Sequence, residues 1–170
     1  SYNQAVLINY NDGMVIKNNT FLNNRAPLAG NSHIQLKRCD NLVRLENNRF
    51  TGTNAESAVL LSNCTSNSSA PSLVVNNVVT KGIGKGFSID TAKNYTFGFN
   101  SMYFSSNTNT NAGIYSMHSA NIGLSFWNNN IYMVGGDAFN VIAPSSISAS
   151  NYNNLISKGT QFSYWGAATS

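Results

Sequence analysis

The sequence predicts an all-β protein, a single-stranded right-handed parallel β-helix in which about six coils of 24–29 residues stack as a solenoid. Three observations predict it. An Asn-rich step recurs at Asn18-Asn19, Asn47-Asn48, Asn76-Asn77, Asn100-Ser101, Asn129-Asn130 and Asn153-Asn154, with spacings of 29, 29, 24, 29 and 24. A second column, Val6, Ile34, Val59, Phe87, Ile114 and Phe139, recurs at 28, 25, 28, 27 and 25 residues. β-Branched, aromatic, Asn and Ser residues dominate throughout, and no long 3.6-residue apolar stripe appears, which argues against helices.

Each residue of the second column has a partner two positions on: Ile8, Leu36, Leu61, Ile89, Ser116 and Val141. Such period-two alternation marks a half-buried strand. Three residues after the first Asn of each step stands Phe21, Phe50, Val79, Tyr103, Tyr132 or Ile156. Two columns of nearly one pitch define one unit, repeated, with room for two or three short strands and their bends. An antiparallel meander would want repeated hairpin turns. The chain has no Asn-Gly and a single Asp-Gly, Asp12-Gly13. A leucine-rich repeat is suggested only by Leu42-Val43-Arg44-Leu45 followed by Asn48, which the other coils do not echo.

Parallel coils pair at about 4.8 Å, so equivalent residues form ladders. A column of Asn can donate to one neighbouring coil and accept from the other, which satisfies interior amides. Asn also tolerates positive φ at bends. Both uses are open to each pair, and the sequence does not fix which member turns inward.

Composition bounds the function. Asn (29), Ser (22) and Thr (11) make more than a third of the 170 residues, while charged residues are only 9%. A content of 42% hydrophobic and 11% aromatic residues separates the chain from disordered polar sequences. The net charge of +4 reflects scarce acids, and the ten Lys and Arg are scattered. A nucleic-acid surface would gather them into a stripe, so nucleic acid is not expected as a partner. No apolar run approaches a membrane-spanning length, and no signal peptide is visible at Ser1. Residues 1–170 read as a single β-helix domain that begins inside a strand pattern, as expected of the C-terminal part of a longer solenoid.

The closest coil motifs, Ile16-Lys-Asn18-Asn-Thr-Phe21 and Leu45-Glu-Asn47-Asn-Arg-Phe50, resemble the β-helix repeats of the pectate-lyase-like superfamily. Asn151-Tyr-Asn-Asn-Leu through Tyr164-Trp165-Gly166 looks like the last coil of large secreted β-helix proteins of Bacteroidetes-type bacteria. The resemblance implies an extracellular or cell-surface location, continuity with further domains, and a saccharide lying along an outer strand face. On that face the outward positions are Gln35, Leu60, Ser88, Tyr115 and Asn140, then Lys37, Ser62, Asp90, Met117 and Ile142. Lys37, Asp90 and Tyr115 are the candidate substrate-binding residues.

The catalytic motifs of the superfamily are missing: no Trp-Ile-Asp-His, no Arg-x-Pro-x-x-Arg, no Asn-Thr-Asp and no Gly-His-Gly. Glycoside hydrolysis needs two carboxyl groups. The repeat register brings together only Asp12 and Asp40, at a bend where solvated turn acids are the plainer reading. His33 and His118 occupy different coil positions and are expected to be structural or at the surface. Lys81-Gly-Ile-Gly-Lys-Gly86 lacks a P-loop ending and reads as a turn between coils. Trp165 is expected to cover the end of the core. No catalytic residue, metal site or cofactor is expected. Cys39 and Cys64 fall at one coil position, within disulfide reach, though parallel side chains there can also stay reduced. The functional expectation is a non-catalytic scaffold, adhesin segment or glycan-contacting surface. The alternative is part of a polysaccharide lyase or glycoside hydrolase with its catalytic coils upstream.

Overall fold

A computed structural model describes residues 4–22, 32–52 and 56–166 of the chain. It is a parallel β-solenoid of about five turns, built of three sheets whose strands come from successive coils. Sheet 1 contains β1 (Gln4–Asn9), β4 (Ser32–Lys37), β7 (Ser57–Ser62), β10 (Lys85–Asp90), β13 (Ala112–Ser116), β16 (Asp137–Val141) and β19 (Ser163–Trp165). Sheet 2 contains β2 (Val15–Lys17), β5 (Arg44–Glu46), β8 (Ser72–Val75), β11 (Tyr95–Gly98), β14 (Leu124–Trp127) and β17 (Ile147–Asn151). Sheet 3 contains β3 (Thr20–Leu22), β6 (Arg49–Gly52), β9 (Val78–Lys81), β12 (Ser101–Phe104), β15 (Asn130–Met133) and β18 (Asn154–Ser157). Among the described residues the one helical segment is a 3-10 turn, Pro144–Ser146.

The apolar column found in the sequence is the inner row of sheet 1. Val6, Ile34, Val59, Phe87, Ile114 and Phe139 pair in that register, and the row ends at Ser163. The residues two positions on pair in the same way, ending with Val141 beside Trp165. Ile34, Leu36, Val59, Leu61, Phe87, Ile89 and Ile114 are essentially without solvent contact. Burial of such side chains contributes about 1.5–3 kcal/mol each. Trp165 packs edge-on against Phe139, with ring centroids 5.9 Å apart.

The Asn step is the two-residue corner between sheets 2 and 3, and its two members have different tasks. Asn18, Asn47, Asn76, Phe99, Asn128 and Tyr152 take left-handed backbone with φ of 52–60°. The next residue points inward: Asn19, Asn48, Asn77, Asn100, Asn129 and Asn153. From Asn48 onward each inner Oδ1 accepts two bonds from the preceding coil's Asn, one from its backbone N–H and one from its Nδ2. For Asn77 and Asn48 these are 3.0 and 3.1 Å. Each Nδ2 also donates to a strand carbonyl, as Asn77 does to Leu45 at 2.9 Å. Asn48, Asn77, Asn100 and Asn129 are buried.

This corrects the sequence alignment by one residue. The ladder follows the second Asn in the first three coils, so its spacings are 29, 29, 23, 29 and 24. The inner row of sheet 3 correspondingly runs Phe21, Phe50, Val79, Met102, Ile131 and Leu155. Tyr103, Tyr132 and Ile156, aligned with Phe21 on sequence, belong to the outward row.

Cys39 and Cys64 are both free and buried. The Cys64 thiol donates to the carbonyls of Leu36 and Ser62 at 3.5 and 3.4 Å, and burial pushes its pKa up to about 11. Lys81 to Lys85 form the short turn from sheet 3 into sheet 1, fixed by a bond from Gly84 N–H to Asn111 Oδ1 at 2.8 Å. No described helix is long and apolar enough to cross a membrane.

Candidate functional site

Sheet 1 enters each coil through a bend. His33, Ala58, Gly86, Gly113 and Ala138 each precede an inward residue, yet all are buried themselves. A Cβ at Gly86 would lie 2.4 Å from the Gly113 carbonyl oxygen, and one at Gly113 would lie 2.6 Å from that of Ala138. Alternation therefore slips here, and the residue before the bend turns toward the outer face. Lys85 is such a residue. Its Nζ stands 4.7 Å from the centroid of the Tyr115 ring and 3.2 Å from Glu56 Oε1.

Tyr115 belongs to the outer row that pairs Gln35, Leu60, Ser88, Tyr115 and Asn140. Between this row and the residues before β13 lies a cleft of about 290 Å³, lined by Lys85, Asn109, Thr110, Ala112, Tyr115 and Asn140. That is near the small end of ligand pockets. Asn140 Nδ2 donates to Asp137 Oδ2 at 2.7 Å. Burial raises the Asp137 carboxyl pKa, and the Asn140 bond opposes the rise. The cleft thus offers one aromatic ring, amides, a hydroxyl and an ammonium already tied to a carboxylate.

The three residues singled out from sequence are spread over several coils. Lys37 and Asp90 lie in one outer row with Ser62 between them, about 10 Å apart at the usual strand spacing. Lys37 is exposed. Asp90 accepts from Ser62 Oγ and from Thr91 Oγ1, each at 3.1 Å. Of the three, only Tyr115 lines the cleft. Lys85, Asn109 and Thr110 join it there without having been singled out from sequence. Strict alternation from Phe87 points Lys85 inward, and only the consecutive small residues at Gly86 and Gly113 signal the slip.

The acids at the first bend act as turn anchors. Asp12 and Asp40 form a parallel bridge, Asp40 Oδ1 accepts from Thr65 N–H at 2.7 Å, and Asp12 Oδ1 accepts from Asn41 Nδ2 at 3.4 Å. His118 is exposed, and its Nδ1 accepts from Ala120 N–H at 3.0 Å. Among the described residues no group of three or more His, Cys, Asp or Glu could hold a metal ion.

His33 and Lys81 lie in the corner between sheets 3 and 1. Lys81 takes an inward position in the row Gly52, Lys81, Phe104 and is 2% exposed. Its Nζ donates to the Lys85 carbonyl at 3.3 Å. Burial lowers its pKa to about 7, against the opposing pull of Glu56. His33 is 1% exposed, and burial, helped by Lys81, lowers its pKa to about 4. Both ring nitrogens of His33, with Ser32 Oγ and Thr51 Oγ1, are buried without a hydrogen-bond partner among the described residues.

These features define a parallel β-solenoid with a small polar–aromatic cleft on one outer face. No family model matches the chain, and comparison with curated proteins and with solved structures finds no match.

Proposed function

We propose that this chain is a non-catalytic, extracellular glycan-contacting module of the pectate-lyase-like kind, which holds saccharide against the outer face of sheet 1. The observation that carries the reading is the cleft at Tyr115, on the strand face where the resemblance expects a saccharide. Its ring and amides suit a sugar, which presents C–H groups on one side and hydroxyls at its edge. On the same resemblance, the module forms part of a larger secreted or cell-surface protein.

Charge placement supports a non-catalytic role. Asp137 has the raised carboxyl pKa that a general acid needs. Glu56 adjoins Ser57, which is three rows from Asp137, or about 14 Å at the usual strand spacing. Paired carboxyls of an inverting glycosidase stand about 6.5–9.5 Å apart. Lys85, which lies in the row next to Ser57, is tied to Glu56 and is not free to act as a lyase base.

A glycan-array screen, run beside a lyase assay on pectate and alginate, tests the reading. Binding that is lost in Tyr115→Ala, with no turnover, is the expected result. Turnover of either polymer that is abolished by Lys85→Met or Asp137→Asn overturns the non-catalytic reading, and array binding that is unchanged in Tyr115→Ala overturns the placement.

A further inference from the structure

The outward row of sheet 3 runs Leu22, Thr51, Thr80, Tyr103, Tyr132 and Ile156. Side-chain size steps up sharply from Thr80 to Tyr103. The rings of Tyr103 and Tyr132 stack at 5.6 Å with 28° between their planes, and Lys158 Nζ covers Tyr132 at 5.6 Å from its centroid. Neighbours in one row stack this way only with their planes set across the row. One face of Tyr103 is therefore given to Tyr132, and the other overlooks Thr80, which is too short to cover it.

The step opens on a notch of about 350 Å³, lined among others by Val78, Thr80, Ser101, Tyr103, Asn130 and Tyr132. Tyr103 is 45% exposed within it. Thr80 Oγ1, Ser101 Oγ and Asn130 Nδ2 make no hydrogen bond among the described residues, while Asn130 Oδ1 accepts from Asn154 Nδ2 at 3.0 Å. No charged residue lines the notch.

We propose that this notch binds a neutral sugar ring, stacked on the open face of Tyr103 and hydrogen-bonded through its edge hydroxyls to Thr80 and Ser101. An aromatic face carries negative charge density that attracts the axial C–H groups of a pyranose. The two unused hydroxyls separate a sugar from an aromatic peptide side chain, which would bury them unpaired at a cost in affinity. The lining residues are uncharged, which favours a neutral sugar over a uronate or a nucleotide; Lys158 stands against Tyr132 and is not one of them. The site is on a different sheet from the Tyr115 cleft and goes beyond that reading.

Calorimetric titration of the 170-residue chain with cellohexaose, xylohexaose, mannohexaose and tetragalacturonate tests the proposal. At least one neutral hexasaccharide binds. Tyr103→Ala weakens that binding by about tenfold or more, as expected for an aromatic contact at the centre of a site. Thr80→Tyr, which extends the stack and fills the notch, does the same with an unchanged urea midpoint. Tyr115→Ala leaves this binding intact. The proposal is overturned if no neutral probe binds at about 1 mM, if tetragalacturonate binds more tightly than all three, or if neither sheet 3 variant weakens binding. A ligand lost in Tyr115→Ala yet kept in Tyr103→Ala overturns the notch and supports the cleft alone.

Discussion

Two corners of the same coils handle buried polarity in opposite ways. Between sheets 2 and 3, Asn48, Asn77, Asn100 and Asn129 are buried, with Oδ1 and Nδ2 both engaged along the ladder. Between sheets 3 and 1, Lys81 and His33 are equally buried, yet Lys81 is pushed toward its neutral form and the His33 ring nitrogens have no hydrogen-bond partner among the described residues. The first corner repeats because one residue type satisfies itself when stacked. The second does not repeat: the row that holds His33 continues as Ala58, Gly86, Gly113 and Ala138, and the row that holds Lys81 continues as Phe104. A repeating polar column contributes to stability and register, whereas a buried amine that desolvation pushes toward its neutral form subtracts from stability wherever it must carry its charge.

The largest effect that could break this comparison is at Asn77. Replacing Asn77 with Leu takes the acceptor from the Asn48 N–H, one of two acceptors from Asn48 Nδ2, and the side-chain donor from the Leu45 carbonyl. Urea denaturation should show a loss of about 3–5 kcal/mol, from several groups at about 1–3 kcal/mol each. Asn76, exposed and left-handed, makes none of these bonds, and Asn76→Leu should cost about 1–2 kcal/mol for its backbone alone.

The opposite sign is expected at Lys81. Its folded pKa of about 7 lies below the ordinary value of 10.5, so between those pH values the unfolded chain binds the extra proton. Stability attributable to this group therefore rises from pH 7 to about 10.5 and is lowest below pH 7. Lys81→Met should add about 1–4 kcal/mol at pH 6 and flatten the rise. His33 acts in a lower window: with a folded pKa of about 4 against 6.5, it removes stability as pH falls from 6.5 to 4. A pH series on His33→Phe should lack that loss.

The smallest effect sharpens the account of the satisfied corner. Phe99 holds φ of 56° and is 60% exposed, in the position that Asn occupies in neighbouring coils. Phe99→Asn should raise the thermal midpoint, by about 1 kcal/mol of relieved backbone cost.

Much of the solenoid was legible because the two inward residues of each sheet 1 strand, from Ile34 and Leu36 to Phe139 and Val141, keep period two, so those rows align by sequence alone. The Asn corner was legible as a repeat but not as a register. Asn suits both the left-handed position and the inner position, so a pair such as Asn76-Asn77 looks the same read either way. The later coils resolve the ambiguity only in three dimensions, where Phe99 and Tyr152 take the left-handed place. Tyr115 was legible as an outward residue. Its neighbours in the cleft were not, because Lys85 owes its direction to a bend at Gly86, and Asn109 and Thr110 lie in a low-complexity stretch outside the strand pattern. The Tyr103 notch was hidden by the same one-residue shift that placed Tyr103 with the inner aromatics.

The most direct test of the contrast is a paired urea titration of Asn77→Leu and Lys81→Met at pH 6, with both midpoints read against the unaltered chain. The account predicts opposite movements, with Asn77→Leu lowering the midpoint and Lys81→Met raising it. A fall in both midpoints would mean that Lys81 is as well satisfied in its corner as Asn77 is in the ladder, and the contrast would be lost.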